Sequence, residues 1–191
     1  MKKTSVDELR QLILEGTIDE FNEKGFKFTM DDIAKRLRIS KKTIYVAFQD
    51  KETLFFEMVD YCFQAIKESE RKIYEDSKLT VVQKIEKILI VLPDRYQSLD
   101  FRLIYEMEEK YPRIFQKIKQ RIESDWETTI SLFEEAMNQG KMKRLPMPII
   151  KAIVEASIER FISSRVLIEN DISYEEALST MVEIIMSGLL I

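Results

Sequence analysis

Apolar residues recur at intervals of three and four along most of this chain, which is the period of one helix face. Two runs near the end are the widest: Ile149, Ile150, Ile153, Val154, Ile158, Phe161, Ile162 and Val166, then Leu178, Met181, Val182, Ile185, Met186, Leu189 and Leu190. Shorter pairs such as Ile44 and Phe48 follow the same i, i+4 rule. Capping boxes mark several helix starts: Ser5 with Glu8, Thr80 with Gln83, and Ser173 with Glu176. Gly25 and Gly140 suit left-handed helix stops, and Gly16, inside the first helix, suits close helix packing. The pattern predicts nine helices, at about 5–24, 30–37, 41–48, 51–75, 80–97, 101–110, 113–139, 147–169 and 174–190. Pro93 is expected to kink the fifth, and Tyr111-Pro112 to separate the sixth from the seventh.

Composition strengthens the all-α reading, because four glycines and four prolines leave little material for the turns of a sheet. No apolar run approaches the roughly 18 residues of a membrane span, and the first residues lack a signal peptide's apolar stretch. The expected location is therefore cytoplasmic, with no membrane partner. The single cysteine, Cys62, cannot build an internal disulfide framework and reads as a core thiol. The chain has no histidine. That removes a Ser/His/Asp triad, an HExxH zinc site and a histidine general base. Glu108-Glu109 and Glu134-Glu135 read as solvated faces, so neither an enzyme nor a metal or cofactor site is expected.

Charge is unevenly placed. The chain carries −4 overall, yet residues 35–51 hold six bases (Lys35, Arg36, Arg38, Lys41, Lys42 and Lys51) against Asp50 alone. A concentrated basic segment in an acidic protein suits a phosphate-binding surface, although a solvated helix face gives the same count. That segment overlaps two short helices. The first is capped by Thr29 and stapled by Phe28 and Ile33; the second is capped by Ser40 and stapled by Ile39 and Ile44. Only Arg38-Ile39-Ser40 joins them, which is helix-turn-helix spacing. With Ile33, Ala34, Leu37, Ile39, Ile44, Phe48 and Leu54 turned inward, Lys41, Lys42, Thr43 and Tyr45 remain for an outer face that could enter a major groove.

Residues 29–54 strongly resemble the DNA-binding domain of the TetR family. The family pattern is met by Thr29, Ile33, Ala34, Ile39, Ser40, Thr43, Ile44, Tyr45, Phe48, Lys51 and Leu54, and the likeness is specific over about residues 8–56. Two positions depart from it: Arg38 stands where a turn glycine is usual, and Ala47 where an aromatic or histidine is usual. The resemblance implies that Thr29, Tyr45 and Lys51 bind phosphates, while Lys41, Lys42 and Thr43 lie at or near base edges; Arg38, a departure from the pattern, is expected to add a phosphate contact of its own. It further implies a three-helix DNA-binding domain over residues 1–50 and a ligand-sensing, dimerising helical bundle over 51–191.

Within that bundle the last two helices are broader in apolar surface than one intramolecular face needs. Ile153, Ile158, Phe161, Ile162, Met181, Ile185 and Leu189 are the expected contacts of a homodimer. Tyr61, Phe101, Tyr105, Trp126, Ile130, Phe133 and Phe161 are candidates for lining a pocket for a small apolar or amphipathic effector. Arg102, Glu106 and Arg165 could add polar recognition. The resulting expectation is a ligand-responsive repressor binding palindromic operator DNA as a homodimer. The alternative is a nucleoid or division factor of the same fold without an effector.

Overall fold

The computed structural model describes residues 6–93, 96 and 100–191, with backbone alone at Leu103. Among these residues every regular element is helical, and the sole β-type pairing is an isolated bridge between Met142 and Leu190. The helices are α1 (Val6–Lys24), α2 (Met30–Leu37), α3 (Lys41–Ala47), α4 (Lys51–Glu75), α5 (Val81–Ile90) and α6 (Tyr105–Lys110). They continue with α7 (Pro112–Glu123), α8 (Glu127–Asn138), α9 (Met147–Ser163), α10 (Val166–Glu169) and α11 (Tyr174–Leu189). Two 3₁₀ turns, Gly25–Lys27 and Phe101–Ile104, lead into α2 and α6.

The local chemistry that marks these elements is in place. Thr29 accepts the Asp32 N–H at 3.2 Å and donates its own N–H to the Asp32 carboxylate at 2.8 Å, closing a capping box at α2. Thr80 and Gln83 do the same at α5, and Ser40 and Ser173 cap α3 and α11. Gly25 and Gly140 both take positive φ, as helix stops require. The expected cap at Ser5 and the stretch 94–97 of the expected fifth helix fall largely outside the described residues.

Three of the expected helices end or break earlier than their pattern suggested. α5 stops at Ile90, three residues before Pro93, whose ring disfavours helical geometry at Leu92 and supplies no N–H. The expected helix over 113–139 is two helices, because Asp125 is left-handed (φ 59°), and the Trp126 indole N–H turns back to the Ile122 carbonyl at 2.9 Å. The expected helix over 147–169 breaks where extended Ser164 donates its hydroxyl to the Arg160 carbonyl at 2.7 Å. Serine and aspartate offer the backbone such local partners in competition with the helical ladder.

The chain forms two compact units, one ending at Phe63 and the other beginning at Gln64. Their boundary lies inside α4 rather than at residue 50. The reason is packing: Leu54, Phe55, Met58 and Val59, on the first turns of α4, are buried with Ile13, Phe21, Phe28, Ile33, Ile44 and Phe48. Cys62, also on α4, is half-buried. The second unit has its own core, drawn chiefly from Ile85, Leu132, Phe133, Ala136, Val154, Met181, Val182 and Met186 of α5, α8, α9 and α11. Each such side chain larger than alanine contributes about 1.5–3 kcal/mol by leaving water.

Candidate nucleic-acid interface

The first unit is organised to hold α3 on its surface. Ile44 and Phe48 anchor its inner face at essentially zero exposure. α2 crosses α1 so closely that a Cβ on Gly16 would lie 2.8 Å from Leu37 Cδ2. Between α2 and α3 the chain reverses at Arg38, whose φ of 53° and ψ of 39° are left-handed. Its N–H bonds the Lys35 carbonyl (3.2 Å) and the Ile39 N–H bonds the Ala34 carbonyl (3.0 Å), a Schellman closure achieved without glycine. At the far end of α3 the Arg10 guanidinium donates to the Ala47 carbonyl, pairs with Glu57, and lies 4.4 Å over the Phe48 ring. Arg10 therefore clamps the carbonyl end of α3 at Ala47.

α1 and α2 are joined by a charged network. Buried Glu20 accepts from Arg36 (2.7 Å) and is ion-paired with Lys24 (2.8 Å); Lys24 also reaches Asp32 (2.9 Å), and Arg36 reaches Glu23. Burial alone would raise the Glu20 carboxyl, but the hydrogen bonds from Lys24 and Arg36 outweigh it and hold it below its usual value. Lys24 and the Thr29 hydroxyl and amide likewise hold Asp32 far below the carboxylate range.

This network changes the meaning of the basic segment. Of its six bases, Arg36 is engaged by Glu20 and Glu23, and Lys35 by Asp31 at 2.7 Å. Lys51 faces inward: its ammonium donates to the Phe26 (2.9 Å) and Phe28 carbonyls and lies 4.1 Å over the Phe28 ring. Burial pushes that ammonium below the usual lysine value. The assignment of Lys51 to a phosphate is corrected accordingly; it ties the start of α4 to the segment before α2. Arg38, Lys41 and Lys42 are exposed, and their side chains make no hydrogen bond or ion pair among the described residues.

The other expected contacts divide in the same way. Thr29 is exposed, but its hydroxyl is engaged in the cap of α2. Thr43 is half-buried with its hydroxyl 2.8 Å from that of Ser40. Tyr45 is 45% exposed, beside Lys41 and Lys42 on the outer face of α3. The sequence pattern did not single out Val46, which is 75% exposed on that face. Nor did it single out Arg10, whose partners are distant in sequence.

The expected effector residues occupy different places among the described residues. Tyr61 belongs to the first unit and donates its hydroxyl to Glu15 at 2.8 Å. Phe133 is fully buried core, while Trp126 and Phe161 pack against the same core. Tyr105 and Ile130 are half-buried. A cleft of about 690 Å³ opens elsewhere, lined by residues including Ile73, Ile90, Leu92, Phe101, Arg102 and Tyr174. Of the seven candidates only Phe101 reaches it, stacked on Tyr174 with ring centroids 4.8 Å apart. Arg102 lines it too, chelating Asp100 at 2.7 and 2.9 Å; Glu106 pairs with Lys110, and Arg165 is exposed.

The expected dimer residues are divided between core and surface. Ile162, Met181 and Leu189 are buried within the second unit, and Ile158, Phe161 and Ile185 pack against its core. A wide apolar stripe does not reveal which of its edges faces inward, and here it is the middle. Of that set Ile153 stands out, at 50% exposure, accompanied by Ile149 (58%) and Ile184 (68%). Ala152, Ala156 and Gly188 are exposed on the same two helices, and no atom lies within 4 Å of a Cβ built on Gly188. No group of residues that could hold a metal ion occurs among the described residues, and none of their helices is long and apolar enough to cross a membrane.

Comparison with known proteins bears on this arrangement. Residues 13–58 match the profile of the bacterial regulatory proteins of the tetR family, a span that contains α2, α3 and most of α1. The HTH-type transcriptional regulator YvaF of Bacillus subtilis (strain 168) is 26% identical over 177 residues, 93% of each chain. The Staphylococcus aureus (strain Newman) IcaR, a negative transcriptional regulator of the biofilm operon icaADBC, is 28% identical over 108 residues. That match covers 56% of this chain and 52% of IcaR. In fold, the chain resembles a TetR-family transcriptional regulator from Mesorhizobium loti, with a TM-score of 0.68 at 18% identity over 99% of this chain and 100% of the other.

Proposed function

We propose that the chain is a transcriptional regulator of the tetR type, a repressor that binds palindromic operator DNA as a homodimer and releases it on taking up a small amphipathic effector. The observation that carries the DNA-binding reading is the outer face of α3. There Lys41 and Lys42, with Arg38 in the turn before them, are left unpaired by a network that engages the neighbouring bases. Tyr45 adds an aromatic hydroxyl to that face. Lys42 and Lys41 suit guanine edges and phosphates, and Arg38 and Tyr45 suit the flanking backbone.

A second copy supplies the second half-site. Ile149, Ile153 and Ile184, with the exposed small residues Ala152, Ala156 and Gly188 on the same helices, form the face on which α9 and α11 would meet their counterparts. The cleft at Phe101 and Tyr174 is the candidate effector site, because its volume falls within the range of small-molecule pockets. α4 carries Ile73 on that cleft and Leu54 and Phe55 in the core of the first unit. A shift of α4 on effector binding is thus the proposed means of release.

Fluorescence anisotropy with a labelled duplex from the region upstream of the gene tests the reading. Wild type should bind with an affinity that falls steeply with salt, and K41A/K42A/Y45A should lose binding while remaining folded. Equal affinity of the triple variant and wild type would refute α3 as the DNA-binding element.

A further inference from the structure

We propose that Val46 reads the 5-methyl group of a thymine in each half-site, making it a determinant of operator sequence rather than a bystander on α3. This rests on the DNA-binding reading above and assigns a further residue within it. Val46 is the most exposed of the large apolar side chains described in the first unit, ahead of Val6, Tyr45, Leu12 and Phe56. It lies one turn beyond Lys42, at i+4, and therefore on the same face of α3.

The placement has a chemical meaning. The other apolar residues of α3 and its C-cap are used: Ile44 and Phe48 are core anchors, and Ala47 has its carbonyl held by Arg10. A branched aliphatic group on a face otherwise occupied by Lys41, Lys42 and Tyr45 gains nothing from water. Nor does it help a short helix, in which valine is a poor former. In the major groove, thymine presents a methyl group where the other bases present only polar atoms or hydrogen. Val46 and that methyl bury each other, and the adjacent Lys42 fixes the register through a polar contact. Arg10, by clamping the carbonyl end of α3, keeps Val46 from swinging away from the groove.

The test uses a duplex recovered by selecting bound sequences from a random pool. Each thymine of the half-site is replaced in turn by uracil, which lacks only the methyl group, symmetrically in both halves. For wild type, one position should weaken binding about fourfold per half-site, the factor set by burying one methyl-sized group. V46A should bind the thymine and uracil duplexes alike at that position, while keeping wild-type discrimination at the others. Because the Val46 side chain is largely in solvent, circular dichroism and the thermal midpoint of V46A should match wild type. If no uracil position loses its effect in V46A, the inference is overturned even though DNA binding stands. If wild type selects no sequence at all, the DNA-binding reading falls and this assignment with it.

Discussion

Replacing Lys51 by methionine separates a structural lysine from a phosphate-binding one. Methionine keeps most of the aliphatic stem and removes the ammonium that donates to the Phe26 and Phe28 carbonyls and lies over the Phe28 ring. A hydrogen bond from a charged donor is worth about 1.5–3 kcal/mol, and a cation–π contact of this kind adds about 0.5–1 kcal/mol. Relief of the ammonium's desolvation, visible in its lowered pKa, offsets part of that sum. The net expectation is a destabilisation of about 1–3 kcal/mol. Chemical denaturation followed by circular dichroism, at one fixed protein concentration, should show the midpoint falling with little change in slope. DNA binding below the midpoint should keep its salt dependence, because no phosphate neutralisation has been removed. The opposite pattern refutes the reasoning: an unchanged midpoint, with the slope of log affinity against log salt shallower by about 0.9 for each phosphate that is no longer neutralised.

Other perturbations report on the remaining contacts. E20Q leaves Arg36 and Lys24 without their buried carboxylate and should cost the first unit about 1–3 kcal/mol in denaturation, whereas a change below about 0.5 kcal/mol would mean the network is solvated. Asp32, held low by Lys24 and Thr29, contributes stability that is complete above its unfolded pKa of about 3.9 and is lost as pH falls toward its folded value. Thermal midpoints measured from about pH 6 down to about 2.5 should therefore fall more steeply for wild type than for D32N, and parallel curves would contradict that. I184D should turn a dimer into a monomer by light scattering without lowering helicity, and a dimer that persists would remove α11 from the interface.

Much of the fold was written in local chemistry. Thr29, Ser40, Thr80 and Ser173 announce helix starts because a cap needs only a hydroxyl three residues ahead of an amide. Gly16 announces a close crossing, and Arg38 takes the left-handed turn that its place between two short helices demands. The breaks at Asp125 and Ser164 were hidden because apolar periodicity continues across them, while a side chain or a left-handed residue ends the ladder. Lys51 was misassigned because its partners lie more than twenty residues away, at Phe26 and Phe28, and spacing along α4 carries no trace of them. The burial of the apolar stripes was hidden for a related reason: α9 and α11 are apolar on two sides, and only packing against α5 and α8 determines that Met181 faces in and Ile184 out. The cleft at Phe101 and Tyr174 depends on α5 ending at Ile90, a stop that the pattern placed later.

The central claim is that the outer face of α3 lies against duplex DNA, and photocrosslinking from that face measures it directly. A benzophenone side chain introduced at Tyr45, with a control at exposed Glu134 on α8, would be irradiated in the presence of the selected duplex. Position 45 should attach to bases or sugars within both half-sites, and position 134 should not attach to DNA. Attachment from position 134 and none from position 45, with the duplex demonstrably bound, would contradict the claim.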